Sequence, residues 1–483
     1  VLTGREIFPG ILSYFGILRQ DFAEDDMAEI PAAPTPDALR AEFERRGIKR
    51  VKVGGFDVDG ILRGKYISLE KFWSAFKSGF GFCDVIFGWD IDDRLLDNTT
   101  VTGWHTAYPD THAQIDPTTL RYIPWEPQTA AFIVDFVSED GRDHPASPRQ
   151  VLKSVLKKAE AMGFSPRFSS EYEFFIFKES PESIREKGYR NLTPLTPGMF
   201  GYSWTRSSSQ SAFVHQVLDQ LAAYDLEVEG FHTETGPGVY EAAIKYDTLI
   251  RAADKSALFK VALKEIGHRL GVLPTFMAKW NAALPGSSGH VHQSLWSSDG
   301  RENLFYDKAA PHTMSKWMRH YLAGQVALMP EMCVLIAPTI NSYKRMVPGA
   351  WAPNTATWGV ENRTTALRVI PAGSSATRIE YRLCGADMNP YLSMAAALAS
   401  GLYGIEKQLE PPPPVGGNAY EATGSPLPRT LAEATANLKR SERARALLGE
   451  AFVDHYVRTR EWEVREFDRA VTTWELERYI EHV

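Results

Sequence analysis

Cysteine is scarce in this chain. Cys83, Cys333 and Cys384 stand far apart in 483 residues, too few and too scattered for a disulfide framework or a cysteine-rich zinc site. A reducing, cytoplasmic setting is the expectation. Basic excess is missing too: 53 Lys and Arg against 60 Asp and Glu leave a formal net charge of −7, which is no footprint for a dedicated nucleic-acid binder. No apolar run reaches about 18 residues, so no helix is expected to span a membrane. Residues 1–22 are mildly apolar but carry neither a cationic leader nor a small-residue cleavage site; they are expected to pack on the protein or on a neighbouring subunit. Two nucleotide fingerprints are absent, G-x-x-x-x-G-K-[ST] and G-x-G-x-x-G. A nucleotide, if bound, must be held by side chains and metal ions. No repeat of solenoid length is present.

What remains is ordinary for a globular enzyme-sized chain, with 44% hydrophobic and 23% charged residues. The length predicts two domains. Residues 1–35 read as an N-terminal extension closed by an acidic, proline-rich linker over about 22–38. Residues 36–143 read as a small mixed domain rich in strands. RVKVGGFDVDGILRGKYISL (50–69) alternates about Asp59-Gly60 as a hairpin, and AAFIVDFV (130–137) is a further strand. Residues 144–483 open with a helix: Ser147 as cap, Pro148 in the first turn, Gly163 at the exit, and a stripe of Val151, Leu152, Val155, Leu156, Ala159 and Met162. Another helix is expected over about 247–270, capped by Asp247 and stopped by Gly271. Polar helices are expected after the prolines at 411–414.

Directly after the first of these helices comes SSEYEFFIF (169–177). Alternation puts Glu171 and Glu173 on one strand face, roughly 7 Å apart. Like charges on a partly buried strand repel and resist desolvation, so the pair needs a counter-charge. Three other stretches carry polar groups of suitable kind. FHTETGPGVYEAAI (231–244) holds Glu234 and Glu241 on either side of a Gly-Pro-Gly turn. GSSGHVHQSLW (286–296) spaces His290, His292 and Ser294 at period two. RIEYRL (378–383) alternates Arg378, Glu380 and Arg382. Taken singly each has an ordinary reading: a solvated edge, a satisfied core histidine, a loop, an ion-pair row. Together, five glutamates and a histidine form an oxygen-rich set suited to Mg²⁺ or Mn²⁺ rather than structural zinc. The arginines beside them suit anionic substrate oxygens. Metals with arginines are one way to hold and transfer a phosphoryl group.

From about residue 36 to the C-terminus the chain resembles the glutamine synthetase family. The motifs that carry this, in order, are EYEFFIF, ETGPGVYE, FMAKW with GSSGHVHQSLW, NSYKRMVPG, ENRTTALRV, RIEYRL with ADMNPYL, and VTTWELERYI. The resemblance implies an α+β fold: a small β-grasp-like N-terminal domain and a large catalytic domain with an antiparallel sheet and helices. It implies a homo-oligomer, a dodecamer of two stacked hexameric rings, with sites between neighbours. It assigns Glu171, His290 and Glu380 to the metal that serves the ATP phosphates, and Glu173, Glu234 and Glu241 to a second metal. His292, Ser294, Arg368 and Arg378 become nucleotide or phosphate contacts. Arg345 would hold the α-carboxylate of glutamate, with Gly286 nearby. Arg363 and Arg382 would stabilise the transferring phosphoryl group and the γ-carboxylate, with Glu241 among the catalytic groups. The implied chemistry is ATP-dependent: γ-glutamyl phosphate forms first, and an amine then displaces phosphate.

The chain departs from the family pattern at one small site. The loop that reads VPGYEAP in glutamine synthetases reads VPGAWAP here, so Trp351 stands where a glutamate would bind ammonium. The Asp-Gly-Ser-Ser stretch that supplies an ammonium-binding aspartate is replaced by GFCDVIFGWD (81–90), with Asp84 as a substitute candidate. The usual Asn-Gly is Pro285-Gly286, and the glutamine of the Gly-rich turn is Val239. An aromatic wall, extended by Trp358 and Phe82, would suit an organic amine, as in the branch that makes γ-glutamylamides from polyamines, alkylamines or anilines. Two alternatives stay open: an ordinary glutamine synthetase, or a catalytically silent relative.

Overall fold

The computed structural model describes residues 33–138, 141–347 and 349–483. The readings for residues 1–22, and for most of the 22–38 linker, lie outside these. Where that linker enters the described chain it is already turning into helix. Pro36–Arg46 is capped by the Thr35 hydroxyl, which accepts the Ala38 N–H at 3.2 Å, and it leaves through Gly47 at φ 62°. Thr-Pro-Asp is a helix start rather than linker.

The first sheet is built from β1 (Arg50–Phe56), β2 (Leu62–Ile67), β3 (Phe80–Cys83), β4 (Asp110–Ile115), β5 (Arg121–Tyr122) and β6 (Thr129–Val137). Its order is β2-β1-β6-β4-β3, with β5 against β6. The β1–β2 hairpin turns about Asp59-Gly60 as expected, with Val51 opposite Ile67. Phe72 of the helix Leu69–Ser78 stacks on Phe43 and Phe132, gluing helices to the sheet. Phe82 meets Phe136 edge-on in this same core; it is a core residue here.

The helix Pro148–Ala161 then feeds the long central strand β7 (Phe164–Phe177). Ser147 occupies the cap position but its hydroxyl makes no capping bond, and Met162 is exposed rather than part of the buried stripe. Around β7 lie β8 (Val228–Thr233), β9 (Val239–Ile244), β10 (Asp247–Thr248), β11 (Leu273–Thr275) and β12 (Gly289–Ser297). After β13 (Thr355–Ala356) the sheet is completed by β14 (Trp358–Val360), β15 (Leu367–Ile370) and β16 (Arg378–Tyr381). Its order is β14-β15-β16-β12-β7-β9-β8, with β10 and β11 also on β7. The expected antiparallel sheet is mixed. β14 runs parallel to β15, with Trp358 opposite Leu367 across the short connection 361–366. In the first sheet β1 runs parallel to β6. Alternation marks a strand but not its direction.

One face of the large sheet is covered by helices. Tyr172 points there and stacks on Phe259 of the helix Leu249–Arg269, centroids 5.8 Å apart. Thr248, not Asp247, occupies the cap position of that helix, and its hydroxyl makes no capping bond. The Asp247 carboxylate instead takes the Thr248 N–H and pairs with Arg251 and Lys255. Behind it, Lys316–Ile336 and Pro390–Glu406 cross closely: a Cβ on Gly324 would lie 2.1 Å from the Ser400 carbonyl. Glu171 and Glu173 flank Tyr172 and so project from the opposite face.

Candidate active site

Three strands bring the first cluster together by register alone. His290 of β12 is paired with Glu171 of β7, and His292 with Glu380 of β16. The His290 Nδ1 lies 3.4 Å from Glu171 Oε2 and 3.2 Å from Glu380 Oε1. Ligand atoms of Glu171, His290 and Glu380 all lie within 4.8 Å of one another. A hard dication with ligands at roughly 2.1 Å in an octahedron separates neighbouring ligand atoms by about 3 Å. The spacing and the donor set therefore fit Mg²⁺ or Mn²⁺.

The electrostatics agree. Burial pushes the Glu171 carboxyl up, but hydrogen bonds from His290 and His292 outweigh it and hold the group well below the usual carboxylate range. Glu380 is almost fully buried. Burial raises it, yet His290, Arg382, His292 and Arg368 together bring it down to about 2. Arg368 donates to Glu380 Oε2 at 3.0 Å, and Arg382 donates to Glu380 Oε1. Burial, then the Arg382 charge, lowers the His290 ring and favours the neutral form that ligates metals.

A second cluster forms where the Gly-rich turn folds β8 back on β9. Glu234 and Glu241 come together as expected, but the third member of the grouping is His232, its Nε2 3.1 Å from Glu241 Oε1. Glu241 sits opposite both Glu173 and His232 in the ladder. Burial raises its carboxyl to about 8, with His232 pulling it down and the Glu171 and Glu173 charges adding to the rise. Glu173 stands beside this group, its Oε2 accepting the Ser288 N–H at 2.6 Å. Sequence reasoning passed over His232. Its period-two spacing from Glu234 is the signal that marked His290 and His292. Tyr202, also passed over, lays its ring on His232 at 4.2 Å.

The remaining residues fall around these clusters. Arg378 Nε donates to His292 Nδ1 at 3.2 Å. The Ser294 hydroxyl accepts the Trp296 indole N–H at 2.9 Å. Arg345 is buried, held by the Leu383 and Arg382 carbonyls at 3.0 and 3.2 Å. Burial lowers its guanidinium, and the Glu173 charge opposes this. Gly286 leaves the room that Arg345 fills: a Cβ there would meet Ala278 O at 2.5 Å and Arg345 Cγ at 2.8 Å. Arg382 Nε reaches back to the Arg363 carbonyl at 3.0 Å, while the Arg363 side chain is exposed. Trp351 is 62% exposed with φ 56°, a left-handed conformation costly for a bulky residue. Trp358 does not join it: the indole is buried and donates to the Pro412 carbonyl at 2.7 Å. Asp84 is buried in its own chain, and burial raises its carboxyl.

With this geometry in hand, the similarities are informative. Residues 145–479 match the family described as glutamine synthetase, catalytic domain. The chain is 48% identical to type-1 glutamine synthetase 2 of Dictyostelium discoideum, over 89% of this chain and 83% of that one. It is 38% identical to a glutamate–isopropylamine ligase of Pseudomonas, over 92% of this chain and 97% of that one. A solved GmaS/ADP complex superposes with a TM-score of 0.81 at 27% identity, covering 92% of this chain and 99% of that one. Among the described residues no helix is long and apolar enough to cross a membrane. The chain belongs to the glutamine synthetase family of ATP-dependent carbon–nitrogen ligases.

Proposed function

We propose that the chain joins the γ-carboxylate of glutamate to an organic amine, with ATP as co-substrate. The observation that carries this reading is Trp351, an exposed, left-handed aromatic six residues beyond the buried Arg345. The side chain at that position is an indole and not a carboxylate, and Asp84 is buried in its own chain. An aromatic surface favours an acceptor with a hydrocarbon or aromatic body, by apolar contact or by cation–π contact. The isopropylamine ligase among the relatives supports the same reading. The glutamine synthetase name of the Dictyostelium relative favours ammonia as the second reading.

The residues divide the work. Arg345 holds the α-carboxylate of glutamate, with Gly286 giving it room. Arg363 and Arg382 face the γ-carboxylate and the transferring phosphoryl group, where planar fork geometry suits oxyanions. His292, Ser294, Arg368 and Arg378 line the nucleotide side. The γ-carboxylate oxygen attacks the γ-phosphorus, the bond to the bridging oxygen breaks, and ADP leaves. The amine nitrogen then attacks the acyl carbon, phosphate departs with the bonding pair, and the nitrogen gives up its proton. Divalent ions held by the two clusters, when bound, neutralise phosphate charge in the first step. Walls that exclude water protect the acyl phosphate in the second. A dodecamer of two stacked hexameric rings belongs to the same proposal.

Replacing the aromatic tests the reading. Trp351→Glu is expected to shift kcat/KM away from organic amines and toward ammonia. An unchanged amine profile would place Trp351 outside the acceptor path and overturn its role.

A further inference from the structure

A cavity of about 1200 Å³ opens between the first sheet and the helix Leu249–Arg269, and none of the candidate catalytic side chains lines it. Its walls are largely apolar, with Ile61, Leu62, Trp125, Phe276, Ile340 and Trp462 among them. Several cations line this space, and two of them adjoin one aromatic ring. Lys260 and Lys264 stand one turn apart on the same helix face. Both ammonium groups sit over the Phe276 ring, at 5.8 and 6.0 Å from its centroid. Lys260 donates to the Ala386 and Met388 carbonyls at 3.0 and 2.8 Å. Lys264, open to the cavity, makes no ion pair or hydrogen bond among the described residues.

The acids around the cavity are mostly engaged elsewhere. Glu265 is taken by the Trp125 indole N–H at 2.6 Å and by Lys52 at 3.6 Å. Asp59 and Glu463 both pair with Arg460. Asp387, the acid that acts on Lys260, accepts the Thr339 and Ser342 hydroxyls. Lys260 is half-buried and Lys264 exposed, so the pair presents adjacent positive charge that an anion entering the cavity would offset. Burial and then the Lys264 charge pull Lys260 down to about 7, with Asp387 opposing.

We infer that this cavity is a second small-molecule site, separate from the candidate active site, taking an amphipathic anion. Its carboxylate or phosphate would sit between Lys260 and Lys264, with an apolar or aromatic body against Phe276 and Trp125. Charge-assisted contact to two lysines supplies affinity, and apolar burial supplies selection by shape.

The test is a fluorescence titration of the full chain with 8-anilinonaphthalene-1-sulfonate, with Mg²⁺ and saturating ADP present to occupy the nucleotide site. One saturable dye site per chain is expected, weakened at least about tenfold by Lys264→Glu and retained by Lys264→Arg. Thermal melts establish that both variants fold. In the unmutated chain, benzoate or phenyl phosphate should displace the dye while benzamide should not, and the stronger of the two anions names the headgroup. Absence of saturable binding, as when a neighbouring copy fills the cavity, would overturn the inference. So would equal binding by Lys264→Glu, or displacement by benzamide as effective as by the anions.

Discussion

His290 on β12 stands directly opposite Glu171 on β7, its Nδ1 3.4 Å from the Glu171 carboxylate and 3.2 Å from that of Glu380 on the next strand. Three adjacent strands thus present one ligand each to one point. If that point holds a divalent ion, Glu171→Ala or Glu380→Ala should lower turnover by on the order of a hundredfold or more. Calorimetric Mn²⁺ titration should show the matching loss of affinity. Near-normal turnover in either variant would remove the cluster from the mechanism.

Arg345 offers a different readout. Its guanidinium is buried and oriented by two carbonyls, so a lysine, lacking the planar fork, should bind a carboxylate less well. Arg345→Lys is expected to raise the KM for glutamate about 10-fold or more with a smaller effect on the KM for ATP. Equal effects on both substrates would contradict the assignment.

Gly286→Ala would press a methyl against the Ala278 carbonyl and the Arg345 side chain. Overpacking of this kind costs about 1–3 kcal/mol. The variant should melt earlier and bind glutamate more weakly, since the displaced neighbour is Arg345. A loss of stability with unchanged glutamate KM would detach Gly286 from the substrate side.

The strands that carry the site were legible because alternation is a strong local signal. Glu171 and Glu173, His290 and His292, and Arg378, Glu380 and Arg382 each share a face as the period-two spacing requires. His232 escaped because a lone histidine before a turn looks ordinary until the turn folds Glu241 back on it. The parallel pairing of β14 with β15 was illegible, since alternation carries no direction. Asp247 looked like a cap because capping chemistry and ion pairing use the same carboxylate; Arg251 and Lys255, one and two turns on, decide between them. The acceptor wall expected from Trp351, Trp358 and Phe82 required three-dimensional placement, and two of its three members are buried in the core.

Acid should weaken the fold through two buried histidines. Burial lowers both His144, stacked on Phe87, and His455 to about 4. The neighbouring His144 charge lowers His455 further, while the Phe87 backbone opposes it. Between pH 6.5 and 4 the unfolded chain binds protons that the folded chain does not, so stability falls as pH drops through that window and is fully present above it. Each group is worth on the order of 3 kcal/mol. Urea melts at pH 7 and pH 4.5 should show a smaller pH difference for His455→Leu than for the unmutated chain. An identical difference would show that His455 is protonated in the fold.

The identity of the nucleophile is the centre of the account, and one assay reaches it directly. Phosphate release from ATP is followed with glutamate and Mg²⁺ against ammonia, ethylamine, isopropylamine, putrescine, spermidine and aniline in parallel. Strong turnover is expected with at least one organic amine, and little with ammonia. Turnover with ammonia alone would contradict this, and would make Trp351 a packing residue of the flap.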